Sequence, residues 1–96
     1  MRFRDRLSEL RDEIRRAAAE SGAHDVRVFG SVARGEEREG SDVDFLVALE
    51  PGRTLLDLAR LELRLESLLG RRVDVVTEAG LRQPVRAAAL RDALHV

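Results

Sequence analysis

The sequence predicts a small α/β fold, α+β in layout, with a mixed sheet of about three to four strands and helices packed on it. Two observations carry that prediction. Leucine- and alanine-rich stretches repeat at helical spacing over Phe3 to Glu20, Leu55 to Leu69 and Val85 to Leu94. Short β-branched runs lie between them, at Val26 to Phe29, Val43 to Leu49 and Arg72 to Thr77. The order is therefore helix, strand, strand, helix, strand, helix.

In the first helix, Phe3, Leu7, Leu10, Ile14 and Ala17 or Ala18 share one face, leaving Arg4, Glu9, Asp12, Glu13 and Arg16 to solvent. Ser21-Gly22 stops it, and Val26-Arg27-Val28-Phe29 reads as a strand ending abruptly at Gly30-Ser31. A polar stretch with Glu36, Glu37, Arg38 and Glu39 follows, too charged to be buried and read as a mobile loop. Val43 to Leu49 is then almost continuously apolar, the pattern of a strand covered on both faces. Pro51-Gly52 turns the chain, Thr54 is the N-cap of the next helix, and Gly70 its stop. Leu61, Leu63 and Leu65 alternate with Glu62, Arg64 and Glu66 like a strand, but Leu55, Leu58, Leu61, Leu65, Leu68 and Leu69 fit a helix over the longer window. Helix is the reading taken, which leaves Leu63 off the main stripe. Gly80 and Pro84 bracket the turn into the last helix. Phe3, Phe29 and Phe45 are expected in the core, and His24 and His95 at the surface.

The 96 residues are read as one domain spanning 1–96, with a modest core: 44% are hydrophobic and 36% charged. No apolar stretch approaches the roughly 20 residues that span a bilayer, and the charged start lacks a secretory apolar region, so a cytoplasmic location is expected. Cysteine is absent, which removes disulfides, thiolate nucleophiles and cysteine metal sites. All 17 basic residues are arginine, which excludes a Walker lysine and Schiff-base chemistry. A net charge of −1 with only 3 aromatic residues argues against direct nucleic-acid binding. The chemistry falls to carboxylates, arginines, hydroxyls and backbone amides.

Asp42 and Asp44 stand two apart, so on an extended chain both face one way, roughly 7 Å apart at the backbone. Val43, Phe45 and Val47 then fill the opposite face. Taken alone, the pair reads as a loop cap or solvated turn before it reads as a site. Asp74 lies among Val73, Val75 and Val76, where an ionised carboxylate is costly without compensation; alone, it would pair with Arg27 or Arg72. Together the three acids call for divalent metal if their strands are neighbours. Oxygen-only ligands favour Mg²⁺ or Mn²⁺, two of which clamp the attacking and leaving oxygens of a phosphoryl displacement.

Gly30-Ser31 at a strand end, followed by Val32-Ala33-Arg34, suits close approach of a phosphate. By itself Gly-Ser is a common turn. Gly30 and Gly35 have the P-loop spacing, but Glu36 and Glu37 stand where Lys and Ser/Thr belong, so that reading fails.

Gly30-Ser31, ten residues, then Asp42-Val43-Asp44 resembles the nucleotidyltransferase signature of the DNA polymerase β-like superfamily. Gly30-Ser-Val-Ala-Arg-Gly35 and Ser41-Asp-Val-Asp-Phe-Leu-Val47 are similar to the minimal nucleotidyltransferase (MNT) family, known as antitoxins paired with HEPN-domain ribonucleases. The resemblance covers nearly the whole chain. It implies the polymerase β-like fold, with Asp42, Asp44 and Asp74 as catalytic and metal residues, two Mg²⁺ ions, and ATP as AMP donor. It also implies Gly30, Ser31, Arg34 and Ser41 as the nucleotide-binding set, Arg34 either contacting phosphate or pairing with Asp42. The implied acceptor is a tyrosine hydroxyl on a HEPN-domain toxin, which would also supply part of the substrate groove. An exposed apolar strip near Leu63 or on the last helix would dock it. Two other readings stand beside this one: an antitoxin that neutralises by contact without catalysis, and a transferase acting on RNA or a small molecule.

Overall fold

A computed structural model describes residues 2–96. Three strands read from the sequence form, as β1 (Ala23–Phe29), β2 (Val43–Leu49) and β3 (Val73–Thr77), and a two-residue β4 (Leu94–His95) joins them. The sheet order is β3-β2-β1-β4. β2 runs antiparallel to β1 and parallel to β3, so the sheet is mixed and β3 is an edge. The parallel register pairs Val43 with Val73, Asp44 with Asp74 and Phe45 with Val75. This settles the adjacency on which the acid cluster depends.

The helices are α1 (Phe3–Glu9), α2 (Arg11–Glu20), α3 (Gly30–Arg34), α4 (Leu55–Leu69) and α5 (Val85–Asp92), with a 3₁₀ turn at Glu78–Gly80. The single helix expected at the start is interrupted at Leu10, a half-buried residue leaning on the core, yet hydrogen bonds run from Leu10 N to Arg6 O and from Ile14 N to Leu10 O. The last helix stops two residues early because Ala93 turns extended and lays Leu94–His95 on β1. Thr54 caps α4 as expected: its hydroxyl accepts from Leu56 N at 3.2 Å, and Asp57 accepts from Thr54 N at 2.8 Å.

Alternation along β2 decides the layers. Val43, Phe45 and Val47 are buried on one face with Ile14, Ala17 and Ala18 of α2 and Leu58, Leu61, Leu65 and Leu69 of α4. Leu46 faces the other way and is still fully buried, so the strand is covered on both sides, as its apolar run predicts. Phe29 corrects the sequence reading. It is only half-buried, because its register pairs it with Asp44 and turns it to the face opposite the main core.

Candidate active site

The β2–β3 register places Asp44 and Asp74 side by side on neighbouring strands, on the sheet face away from the main core. Asp44 is half-buried and Asp74 exposed. Asp42 lies one residue before β2, exposed and within electrostatic range of Asp44. Burial pushes the Asp44 carboxyl above its ordinary value, and the charges of Asp74 and then Asp42 push the same way; Arg34 opposes them. Asp74 and Asp42 thus both act on Asp44, a contact that the strand register supplies.

Gly30 explains why the turn after β1 belongs with them. Its φ is +72°, a conformation that L side chains rarely adopt, and a Cβ there would stand 2.7 Å from Asp44 Oδ2. Only glycine lets the backbone come this close to the carboxylate. Ser31 follows in the first turn of α3, half-buried. The helix ends at Gly35, where Glu36 N donates to Ser31 O at 2.8 Å and Gly35 N to Val32 O at 3.1 Å.

Arg34 does not pair with Asp42. Its Nε donates to Glu36 Oε2 at 3.0 Å and its Nη1 to Asp92 Oδ2 at 2.7 Å, tying α3 to α5. Those bonds, Glu36 first, raise its pKa above the ordinary arginine value. Ser41 holds the loop before β2: its hydroxyl accepts from Arg38 N at 2.8 Å. Arg27 salt-bridges Asp25 at 3.4 Å.

Sequence reasoning passed over two acids on α4. Glu66 Oε2 accepts a hydrogen bond from Val73 N at 3.0 Å. Glu62 is half-buried; its pKa is raised by burial first and by Asp74 second, against an opposing contact with the Val75 amide. Both belong to the alternating Leu/Glu run, whose charged positions face a strand edge as well as water. Among the described residues, no three His, Asp or Glu side chains close into a ready-made metal cage.

A glycine turn thus lies against carboxylates on adjacent strands, an arrangement compatible with the chemistry of nucleotidyl transfer. A family profile described as a nucleotidyltransferase domain matches residues 7–94, and the chain belongs to that family. Within it, the resemblance narrows to the protein adenylyltransferases. Protein adenylyltransferase MntA of Thermococcus cleftensis is 44% identical over 75 residues, covering 78% of this chain and 76% of that protein. A chain of Methanocaldococcus jannaschii assigned by name to the protein adenylyltransferases is 37% identical over 90 residues, covering 94% of this chain and 97% of its own. A solved structure described as a minimal nucleotidyltransferase is 54% identical, with a TM-score of 0.86 over 100% of this chain and 97% of its own. A toxin–antitoxin crystal structure with AMP-PNP shares the fold, at a TM-score of 0.68 and 20% identity over 99% of this chain and 72% of its own. No helix among the described residues is long and apolar enough to cross a membrane.

Proposed function

We propose that this chain is the antitoxin of a toxin–antitoxin pair and transfers AMP from ATP to a tyrosine hydroxyl of its partner, a HEPN-domain ribonuclease. The observation that carries this reading is the register of Asp44 with Asp74 beside a turn whose glycine lies against Asp44. The names of the relatives support protein as the acceptor, and the fold shared with a toxin–antitoxin structure supports the pairing.

The donor set fits magnesium or manganese. It is all oxygen, and the charge gathered around Asp44 exceeds what Arg34 offsets. Asp42 and Asp44 would hold the metal, with Asp74 completing a second position. Once bound, the ions offset the crowded negative charge and stabilise that of the transferring phosphoryl group.

The chain's own residues do the rest. Gly30 lets the turn lie directly against Asp44, and Ser31 offers a hydroxyl and an amide to a phosphate at the same turn. Arg34, held by Glu36 and Asp92, keeps α3 against α5 and places a positive charge near the acids. Asp74, the exposed carboxylate of the strand pair, is reachable by an acceptor hydroxyl. The tyrosine hydroxyl gives its proton to the Asp74 carboxylate as its oxygen bonds to the α-phosphorus, the α–β anhydride bond breaks, and pyrophosphate leaves.

The test is intact-mass analysis of the co-purified partner after incubation with Mg²⁺ and ATP. Wild type should add AMP-sized increments, and the folded Asp42→Asn/Asp44→Asn variant should add none. Transfer by the double variant would overturn the assignment.

A further inference from the structure

β3 is an edge strand, and an edge strand leaves every second backbone amide without a strand partner. The ladder bond from Val43 N to Arg72 O, together with the Asp44–Asp74 register, turns the backbone of Asp74 toward β2 and the amides of Val73 and Val75 outward. On that side lies α4, which reverses through Gly70 into β3 and so runs back along it.

The two repeats match. Four residues of helix rise about 6 Å, and two residues of strand advance roughly 6.6 Å. Glu62 and Glu66 are therefore spaced to meet Val75 and Val73 in reverse order. Glu66 accepts from the Val73 amide at 3.0 Å, and Glu62 lies against the Val75 amide.

We infer that Glu66 and Glu62 are positioning residues that fasten the outer edge of β3 on either side of Asp74 and so hold its carboxylate in line with Asp44. They act through the backbone of β3, as hydrogen-bond acceptors rather than as metal ligands. This inference rests on the reading of Asp44 and Asp74 as the metal-binding pair.

The experiment compares wild type with Glu66→Ala, Glu66→Gln, Glu62→Ala/Glu66→Ala, Asp44→Asn and Asp74→Asn. Two quantities are read well below each melting temperature: hydrogen exchange of the Val73 and Val75 amides by NMR, and Mn²⁺ affinity in the presence of AMP-PNP by titration. Glu66→Ala should speed Val73 exchange and weaken Mn²⁺ about tenfold, the usual scale for removing a support behind a metal ligand. The double alanine variant should expose Val75 as well and weaken Mn²⁺ further. Glu66→Gln keeps an oxygen that accepts the same bond and should restore both readings.

Mn²⁺ affinity unchanged in both alanine variants would overturn the inference. So would a glutamine variant as weak as alanine, which would mean that charge rather than the hydrogen bond matters. A failure of the underlying site reading looks different: Asp44→Asn and Asp74→Asn would then leave Mn²⁺ affinity intact.

Discussion

Replacing Gly30 by alanine combines two effects that Gly35 separates. Both glycines have a φ of +72°. An alanine at either pays the left-handed penalty of an L side chain, about 1–2 kcal/mol. In a chain of this size that lowers Tm by roughly 5–15 °C. The positions differ in what the new methyl meets. At Gly35 nothing lies within 4 Å, whereas at Gly30 the methyl would stand 2.7 Å from Asp44 Oδ2, where ordinary contact begins at 3.4 Å. Asp44 has a short side chain on a strand covered on both faces, so the clash moves the carboxylate itself. A misplacement of this order typically costs about a hundredfold in rate. The expected result is a Tm loss in both variants, the larger in Gly30→Ala, with AMP transfer down about a hundredfold only there. Melting by circular dichroism and time-resolved intact mass of the partner read the two quantities. Equal transfer rates in the two variants would refute the claim that Gly30 is glycine for the sake of Asp44.

Other outcomes follow from the same geometry. Burial and its neighbours raise the Asp44 pKa, so ionising it costs the fold stability as pH climbs from the ordinary carboxylate value through the raised one. Without ligand, Asp44→Asn should therefore melt no lower than wild type at neutral pH while losing AMP transfer, as paired thermal and activity assays would show. Transfer itself needs the ionised form. At subsaturating Mg²⁺ its rate should fall on acidification while pH is still above the ordinary carboxylate range, because protons then compete with the metal for Asp44, seen as an acid limb in a pH–rate profile. Thr54→Ala removes the cap of α4 and should cost about 1 kcal/mol, read by urea denaturation, with transfer unchanged once the protein is folded. Leu61→Ala, at a position with no exposure, should cost about 2–5 kcal/mol in the same assay.

The elements that period and capping define were legible in the sequence. Val43 to Leu49 announces a doubly covered strand, and Thr54 and Gly70 bracket α4 at its observed ends. The acids were legible as a group because a carboxylate among valines needs a reason, and the register supplies the contact that spacing alone left open. β4 was not legible: two residues carry no periodicity, and only the return of the chain onto β1 makes them a strand. Phe29 misled because an aromatic residue at a strand end signals burial but not which face receives it. Arg34 was legible as a motif residue but not by partner, since Asp92 lies far along the chain and meets it only through packing. Glu62 and Glu66 were hidden for a related reason. Charged residues on a leucine-rich helix read as a solvated face, and nothing local reveals a strand edge beside them.

The alternation of β2 has an evolutionary consequence. One set of its residues builds the main core and the other carries Asp44 beside the buried Leu46, so the strand can lose that carboxylate without losing its shape. A single exchange at Asp44 leaves Val43, Phe45 and Val47 in place. Under the proposed function, the resulting chain would keep whatever surface the active one docks with. If Asp44 carries the proposed transfer, an inert copy that competes with its parent is one substitution away, and selection then acts on the carboxylate separately from the fold.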